Sequence, residues 1–423
     1  MSMGKMIGWV TMVALGTTAG FFGKDWSQGN FSFDALSYVR PASVSNSKRP
    51  EVKPAQTFAQ NFRSIQEDYV EKLDPRELKH AAMEGLVSSL GDPHTVFMAP
   101  DLTEAFSKET QGASDFVGIG ARLNPDPQGA RMMSVFDGSP AAGAGMKPGD
   151  LIIKVNDKSV GGQPVDQIVR QIRGVEGTQV KVTVLRAPED GGPLQEKSFS
   201  VKRGKVIAPT ADGFFLPESK IGYITVYQFA QNTAEQFANK LDQMEKSGAK
   251  GYVIDLRGNP GGLLETATVM LSEFVSNKRV VTMKRRDGEE NEVKTYSDLR
   301  RDQALPVAIL VNEESASASE IFAGVMRDYR LATLIGEHTY GKSSVQNLYY
   351  LPDGSSAKVT IAKYFLPSGY DIMRKVDEEG QYVSGGLKPD IEVPLNLGPR
   401  TVVGDPKRDN QLQRAIQVVQ SKF

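Results

Sequence analysis

Pro306-Val307-Ala308-Ile309-Leu310-Val311, followed by Asn312-Glu313-Glu314-Ser315-Ala316-Ser317-Ala318-Ser319-Glu320-Ile321, decides the fold. An apolar run without alternation reads as a strand covered on both faces, and Ile321, Val325 and Met326 then recur at helical spacing over residues 317–328. The same strand–turn–helix order appears upstream. Tyr252-Val253-Ile254-Asp255-Leu256 ends in the turn Arg257-Gly258-Asn259-Pro260-Gly261-Gly262, which feeds a helix through Leu271. Further strands are expected at 221–226, 281–283, 332–335, 345–351 and 357–361, with a helix at 233–246. Alternating strands and helices of this kind predict a layered α/β core over residues 205–396.

Before that core the pattern is mainly β. The expected elements are one strand run at 117–123, others at 131–136 and 151–155, a helix at 164–172 and a strand at 180–185. Gly138-Ser139-Pro140-Ala141, Gly149-Asp150-Leu151-Ile152 and Val117-Gly118-Ile119-Gly120 lie among them. With these motifs, residues 113–204 resemble a PDZ domain. The resemblance implies that Gly118, Ile119 and Gly120 form a loop whose backbone N–H groups converge on a peptide's terminal carboxylate, while a sheet edge pairs with the peptide.

Composition narrows the remaining choices. The chain has 423 residues, a net charge of −1, three histidines and no cysteine. That balance makes no electrostatic case for nucleic acid, and the lack of cysteine excludes thiolate chemistry, zinc ribbons and disulfides. No spacing resembles a metal site, and no cofactor is expected. Lys5 precedes a mostly apolar run from Met6 to Phe22, so residues 1–25 read as a signal peptide or a membrane anchor. This places the protein outside the cytoplasm, in the periplasm or cell envelope. Residues 26–54 read as a linker, 55–112 as an N-terminal helical segment and 397–423 as a tail with a short helix at 411–419. Apolar positions on the terminal helices suggest a homo-oligomer.

The chemistry centres on Ser317. A hydroxyl at a helix start is surrounded by free N–H groups that can stabilise an oxyanion. A serine also needs a base. Tyr340-Gly341-Lys342-Ser343-Ser344-Val345-Gln346 supplies Lys342 in a stretch short of carboxylates. Burial can lower a lysine pKa toward neutrality at a cost of roughly 4–5 kcal/mol. In an extended segment Lys342, Ser344 and Gln346 share a face, so Gln346 can hold the amine without adding charge. Ser315 and Ser319 stay open as alternative nucleophiles, and His338 as an alternative base. His94 reads as a packing residue and Glu320 as part of a capping box.

From about Phe58 to Pro394 the chain is similar to the carboxy-terminal processing peptidases, or tail-specific proteases. The likeness rests on Gly91-Asp92-Pro93-His94-Thr95, the PDZ motifs, Asp255-Leu256-Arg257, Pro260-Gly261-Gly262, residues 315–320, Gly341-Lys342 and Val345-Gln346. It implies an α/β core of the layered crotonase/ClpP-like kind, with an inserted PDZ domain and an N-terminal helical segment. It further implies Ser317 as nucleophile, Lys342 as base and Gln346 as its orienting partner. The oxyanion hole would come from Gly261 or Gly262 with the amide of Ala318. Arg173 would couple PDZ docking to the active site. Ser343-Ser344 departs from the family, which usually carries another glycine there.

The implied function is a serine endopeptidase that reads the C-termini of exported proteins, with exposed, apolar tails as substrates and an adaptor or lipoprotein as a possible partner. A catalytically silent PDZ scaffold and an acyl-CoA-processing enzyme are the competing readings.

Overall fold

The computed structural model describes residues 53–423 except 114, 137, 189–191, 302–303, 378, 380 and 397–402. The expected signal or anchor at 1–25 and nearly all of the expected linker lie outside the described residues. No helix among the described residues is long and apolar enough to cross a membrane.

The central sheet has six strands in the order Ala211–Leu216, Ile221–Val226, Gly251–Asp255, Val307–Val311, Ala332–Gly336 and Ile391–Glu392. The first pair is antiparallel and the others are parallel. Alternate side chains leave opposite faces of a strand, so one sequence feeds two cores. Ile224, Ile254 and Ile309 join Phe237, Leu241, Met270, Phe322 and Met326. Those partners come from the helices Thr233–Lys246, Leu264–Ser272 and Ala318–Asp328. Tyr223, Val253, Ala308 and Leu310 instead meet Leu412, Ala415 and Val419 of the helix Asn410–Gln420. Covering on both faces explains why Gly251–Asp255 and Val307–Val311 are buried at every position.

That last contact corrects one expectation. The helix near the C-terminus is no tail, and its apolar stripe does not serve self-association, because the stripe already closes one face of the sheet.

A second, antiparallel sheet runs Val96–Met98, Ser356–Phe365, Arg279–Arg285, Glu290–Lys294, with Ser344–Tyr350 also paired to Ser356–Phe365. Its first strand lies within the N-terminal segment at 55–112, whose other elements are helices, as expected. The helices there are Pro54–Asp68, Pro75–Ser88 and Pro100–Gln111. Each starts on a proline, whose missing N–H costs nothing at a first helical position. The helix Pro54–Asp68 lies in a unit ending at Leu78 and buries none of its residues.

Between the helical segment and the core sits a β module, Ala121–Asp126, Gly129–Val135, Leu151–Val155, Gln179–Arg186 and Gln195–Lys202 in that order, with Lys158–Ser159 on the third strand. Its own core includes Met132, Ile152, Ile168, Val180, Val182 and Val184. The chain enters and leaves it through the paired strands Asp115–Gly118 and Gly204–Ile207. The single run expected at 117–123 is broken at Gly120, whose φ is +79°. A Cβ there would lie 2.3 Å from the Ser139 Cβ, so the turn requires glycine.

A buried ion cluster ties the last helix to the sheet. Arg257 donates to Asp255 and, at 2.7 Å, to Asp409, while the Tyr223 hydroxyl donates to Asp255 at 2.6 Å. Asp409 also caps the helix Asn410–Gln420 by accepting from the N–H groups of Gln411 and Leu412. Burial would raise the Asp409 pKa, but the charge and hydrogen bonds of Arg257 outweigh it and hold the group below its ordinary value. A depressed carboxylate pKa contributes stability above the unfolded value, lost as pH falls through the folded one. Asp409→Ala should therefore lower stability by about 1–3 kcal/mol at neutral pH, since it removes a helix cap and one of the two carboxylates on Arg257, which keeps Asp255. Urea titration checks this, and the deficit should shrink below about pH 4.

Candidate active site

The serine helix begins under strain. Ser317 has φ 55° and ψ −114°, an unusual conformation for a residue with a Cβ. It follows the central strand Val307–Val311 and turns the Ser317 side chain to a partly exposed position while its neighbours stay inside. The Ser315 hydroxyl donates to Leu256 O at 2.8 Å, and that of Ser319 donates to Asn259 O at 2.9 Å. Both residues are 0% exposed, so these hydroxyls fasten the loop and face no solvent.

Glu320 is more than a cap. Its Oε2 accepts from the N–H groups of Ser317 and Lys342, each at 2.9 Å. Its Oε1 accepts from Gly341 N–H at 2.7 Å and from the Thr339 hydroxyl at 2.5 Å. One fully buried carboxylate thus gathers the serine turn and the lysine segment. Burial raises its pKa, and the hydrogen bonds counter that without cancelling it. From the other side, the Tyr364 hydroxyl donates to Lys342 O and lies 3.4 Å from Ser317 O.

Lys342 Nζ donates to Gln346 Oε1 at 2.9 Å. Gln346 Nε2 donates to Ser344 Oγ at 2.8 Å, which gives a use to the serine at the departure from the glycine pattern. Burial and the charge of Lys358 push the Lys342 pKa down, while Asp92 and Glu320 push it up. The expected lack of carboxylates near Lys342 is thus corrected: two act on it, and desolvation with Lys358 still prevails. The Lys342 charge also reaches His94, whose pKa is lowered by burial first and then by that charge. The tertiary fold brings this loop in from before the strand Val96–Met98, a proximity that no local pattern signals. His338 faces Tyr382 edge-on, and its buried Nδ1 has no partner among the described residues.

The glycine turn closes the site. A Cβ on Gly261 would lie 2.6 Å from Ala316 O and 2.9 Å from Ala318 N, so the turn abuts the serine loop. Gly261 N–H is already spent on Asn259 Oδ1 at 2.9 Å. The N–H groups of Gly262 and Ala318 find no acceptor among the described residues. Asn259, missed in sequence, is buried and pins the turn through its amide to Val226 O at 2.7 Å.

In the β module Gly118, Ile119, Gly120 and Arg173 line one cavity of about 370 Å³, together with Phe116, Leu123, Val169 and Ile172. The carbonyls of Ile119 and Gly120 accept from Ala141 and Phe136 N–H groups, and their own N–H groups find no acceptor among the described residues. Arg173 lies over the Phe116 ring at 4.9 Å. Two arginines escaped sequence reading. Arg203 closes the end of the helix Val165–Ile172 by donating to Ile172 O at 2.7 Å. Arg122 lies 3.8 Å over the Tyr227 ring and donates to Pro209 O at 3.0 Å, joining module to core.

Residues 220–393 match peptidase family S41, residues 132–186 the PDZ domain, and residues 13–102 the activating protease CtpB N-terminal domain. A CtpA-like serine protease of Staphylococcus haemolyticus is 35% identical over 353 residues, covering 83% of this chain and 66% of the relative. One of Staphylococcus aureus strain N315 is 35% identical over 347 residues, covering 80% and 66%. The chain therefore spans 66% of the length of these curated relatives. A crystal structure described as an S41 protease of Bacteroides fragilis is alike in fold, with a TM-score of 0.59 at 14% identity over 90% of this chain and 100% of that one.

Glu320→Gln turns one acceptor oxygen into a donor that faces two others. We expect a loss of about 1–3 kcal/mol in urea titration, with faster amide exchange at residues 317, 341 and 342. An unchanged midpoint would show that the carboxylate does not hold the two segments.

Proposed function

We infer, for a chain that belongs to peptidase family S41, that it hydrolyses peptide bonds with Ser317 as nucleophile and Lys342 as base, on proteins whose C-termini its PDZ domain holds. The observation that carries this reading is the shared Glu320 oxygen, which accepts from Ser317 and Lys342 N–H alike. Of the three serines in the loop, Ser317 alone is partly exposed, whereas Ser315 and Ser319 are buried and spend their hydroxyl protons on backbone carbonyls.

Lys342 takes the Ser317 proton as Oγ attacks the scissile carbonyl carbon. The oxyanion is received by Gly262 and Ala318 N–H, with Gly261 serving to let the turn approach the loop. Collapse expels the amine with that proton and leaves an acyl-serine, which water, deprotonated by Lys342, hydrolyses. Gln346 offers only a carbonyl to the amine, so it orients Lys342 without stabilising its charged form as a carboxylate would.

A peptide tail added along the edge strand Ala121–Asp126 would present its carboxylate to the N–H groups of Ile119 and Gly120 and its last side chain to Phe116, Leu123 and Ile172. The apolar lining supports a preference for apolar tails, and Arg173, over Phe116 at the cavity, would couple occupancy to the core. Export follows from the Lys5-led apolar start, and self-association from the exposed Phe58, Ile65, Tyr69 and Val70. An adaptor that delivers substrate is compatible with this arrangement.

An unstructured reporter protein with an apolar C-terminus should be cleaved by the native chain and not by Ser317→Ala or Lys342→Ala, and amidating the reporter's C-terminus should weaken cleavage. Cleavage by neither native nor variant protein would favour the silent scaffold. Because the active base is neutral lysine, kcat/KM should rise with pH through the depressed Lys342 pKa. Lys358→Gln removes a repelling charge, raises that pKa and should move the rising limb to higher pH. A limb that stays in place or moves the other way counts against Lys342 as base.

A further inference from the structure

The strand that starts beside the lysine leaves one edge open. Among the described strands, Ser344–Tyr350 pairs only with Ser356–Phe365. The hairpin between them closes through Leu351 N–H to Ser355 O at 2.8 Å. In an antiparallel ladder, hydrogen-bonded pairs alternate with pairs whose N–H and C=O groups turn outward. Counting back from that closure, Tyr349–Ala357 and Asn347–Val359 bond to each other, whereas Tyr350, Leu348 and Gln346 point away from the ladder. Thr360, the partner of Gln346, fixes the same phase, because its N–H leaves this ladder for Thr95 Oγ1 at 3.0 Å. The outward N–H and C=O groups of Gln346, Leu348 and Tyr350 find no partner among the described residues.

An open edge invites pairing with other chains, and proteins commonly guard it with charge. Two other long edges here are guarded in that way. Glu290–Lys294 carries Glu290, Glu292 and Lys294, and Gln195–Lys202 carries Glu196, Lys197 and Lys202. Ser344–Tyr350 carries no charge at all, and Tyr349 and Tyr350 are 47% and 65% exposed. An edge without the guard is an edge kept for pairing. Its place selects the occupant. Gln346, the first outward residue, accepts from Lys342 Nζ at 2.9 Å through its side chain. A strand laid on this edge runs past the base, which serves a chain about to be cut, whereas a second copy held there would block the site.

We propose that the substrate polypeptide, around its scissile bond, adds to the free edge of Ser344–Tyr350 as a β-strand held by the backbone groups of Gln346, Leu348 and Tyr350; this rests on the Ser317–Lys342 reading above. Such pairing reads backbone rather than side chains, so it selects extended chain and leaves sequence preference to the tail pocket. A folded segment has already paired its own N–H and C=O groups and has nothing to offer this edge.

The test uses the full chain and a synthetic peptide with a free apolar C-terminus, whose cleaved bond is located by mass spectrometry. A series of peptides replaces one backbone amide at a time by an ester, which removes its N–H, and keeps the scissile amide. Alternate esters beside the scissile bond should lower kcat/KM about 3- to 10-fold, and the intervening ones less than about twofold. Leu348→Pro removes an outward N–H and no ladder bond, so kcat/KM should fall about 3- to 10-fold with the melting temperature near native. Tyr349→Pro takes a donor out of the ladder and should instead lower the melting temperature. If Leu348→Pro does not fold, the ester series on the native chain carries the test. Ester effects without alternation, or a folded Leu348→Pro with native kcat/KM, would overturn the proposal. So would a dimer in sedimentation that Leu348→Pro dissociates without loss of kcat/KM, which assigns the edge to a second copy. Cleavage that survives Ser317→Ala or Lys342→Ala would instead overturn the Ser–Lys reading beneath it.

Discussion

The structure around the site depends on one buried carboxylate. Glu320 has no solvent contact, so its charge must be met inside the protein, and it is met by donors from two segments more than twenty residues apart in sequence. A carboxylate accepts at both oxygens, which lets a single side chain fix the start of the serine helix and the approach to Lys342. Relaxing the lysine segment would leave Oε1 unpaired, and relaxing the serine turn would leave Oε2 with the Lys342 N–H alone. The same demand holds the strained Ser317 backbone in place, since its N–H is one of the donors.

Strand order explains why the other parts of the site converge. Gly251–Asp255 and Val307–Val311 are parallel neighbours, so their C-terminal ends lie side by side. The glycine turn leaves the first and the serine loop leaves the second. Such an edge of a parallel sheet is where α/β folds place ligands. Asn259 and Ser315 then stitch the two loops across that edge, through Ala316 N–H to Asn259 O and the Ser315 hydroxyl to Leu256 O. Chemistry is assembled from loops, but their spacing comes from the sheet. The PDZ module leaves this sheet undisturbed because it enters and exits through one antiparallel strand pair.

Much of this was legible beforehand, for particular reasons. Apolar runs at 252–256 and 306–311 announce doubly covered strands, and helical spacing at Ile321, Val325 and Met326 announces the packed helix. Gly118 to Gly120 and the glycines of the 257–262 turn are readable because only certain backbone shapes need them. The errors share a cause. The apolar positions of residues 411–419 read as a self-association stripe on a tail until the helix is found closing a sheet face. Lys342 looks remote from carboxylates because Asp92 lies some 250 residues earlier and Glu320 sits on another element. Asn259, Arg122 and Arg203 are ordinary polar residues in sequence; burial and partner geometry give them their roles.

What the sequence determined by itself was therefore local: the period of each element, the turns, and the presence of a serine, a lysine and a glutamine with suitable chemistry. Backbone sterics and hydrophobic periodicity act over a few residues, so one chain displays them directly. Tertiary structure decided which serine reaches the surface, which glycine keeps its N–H, and which charges act on the lysine. Those outcomes depend on desolvation and on hydrogen bonds between distant segments, and neither exists until the segments are packed together.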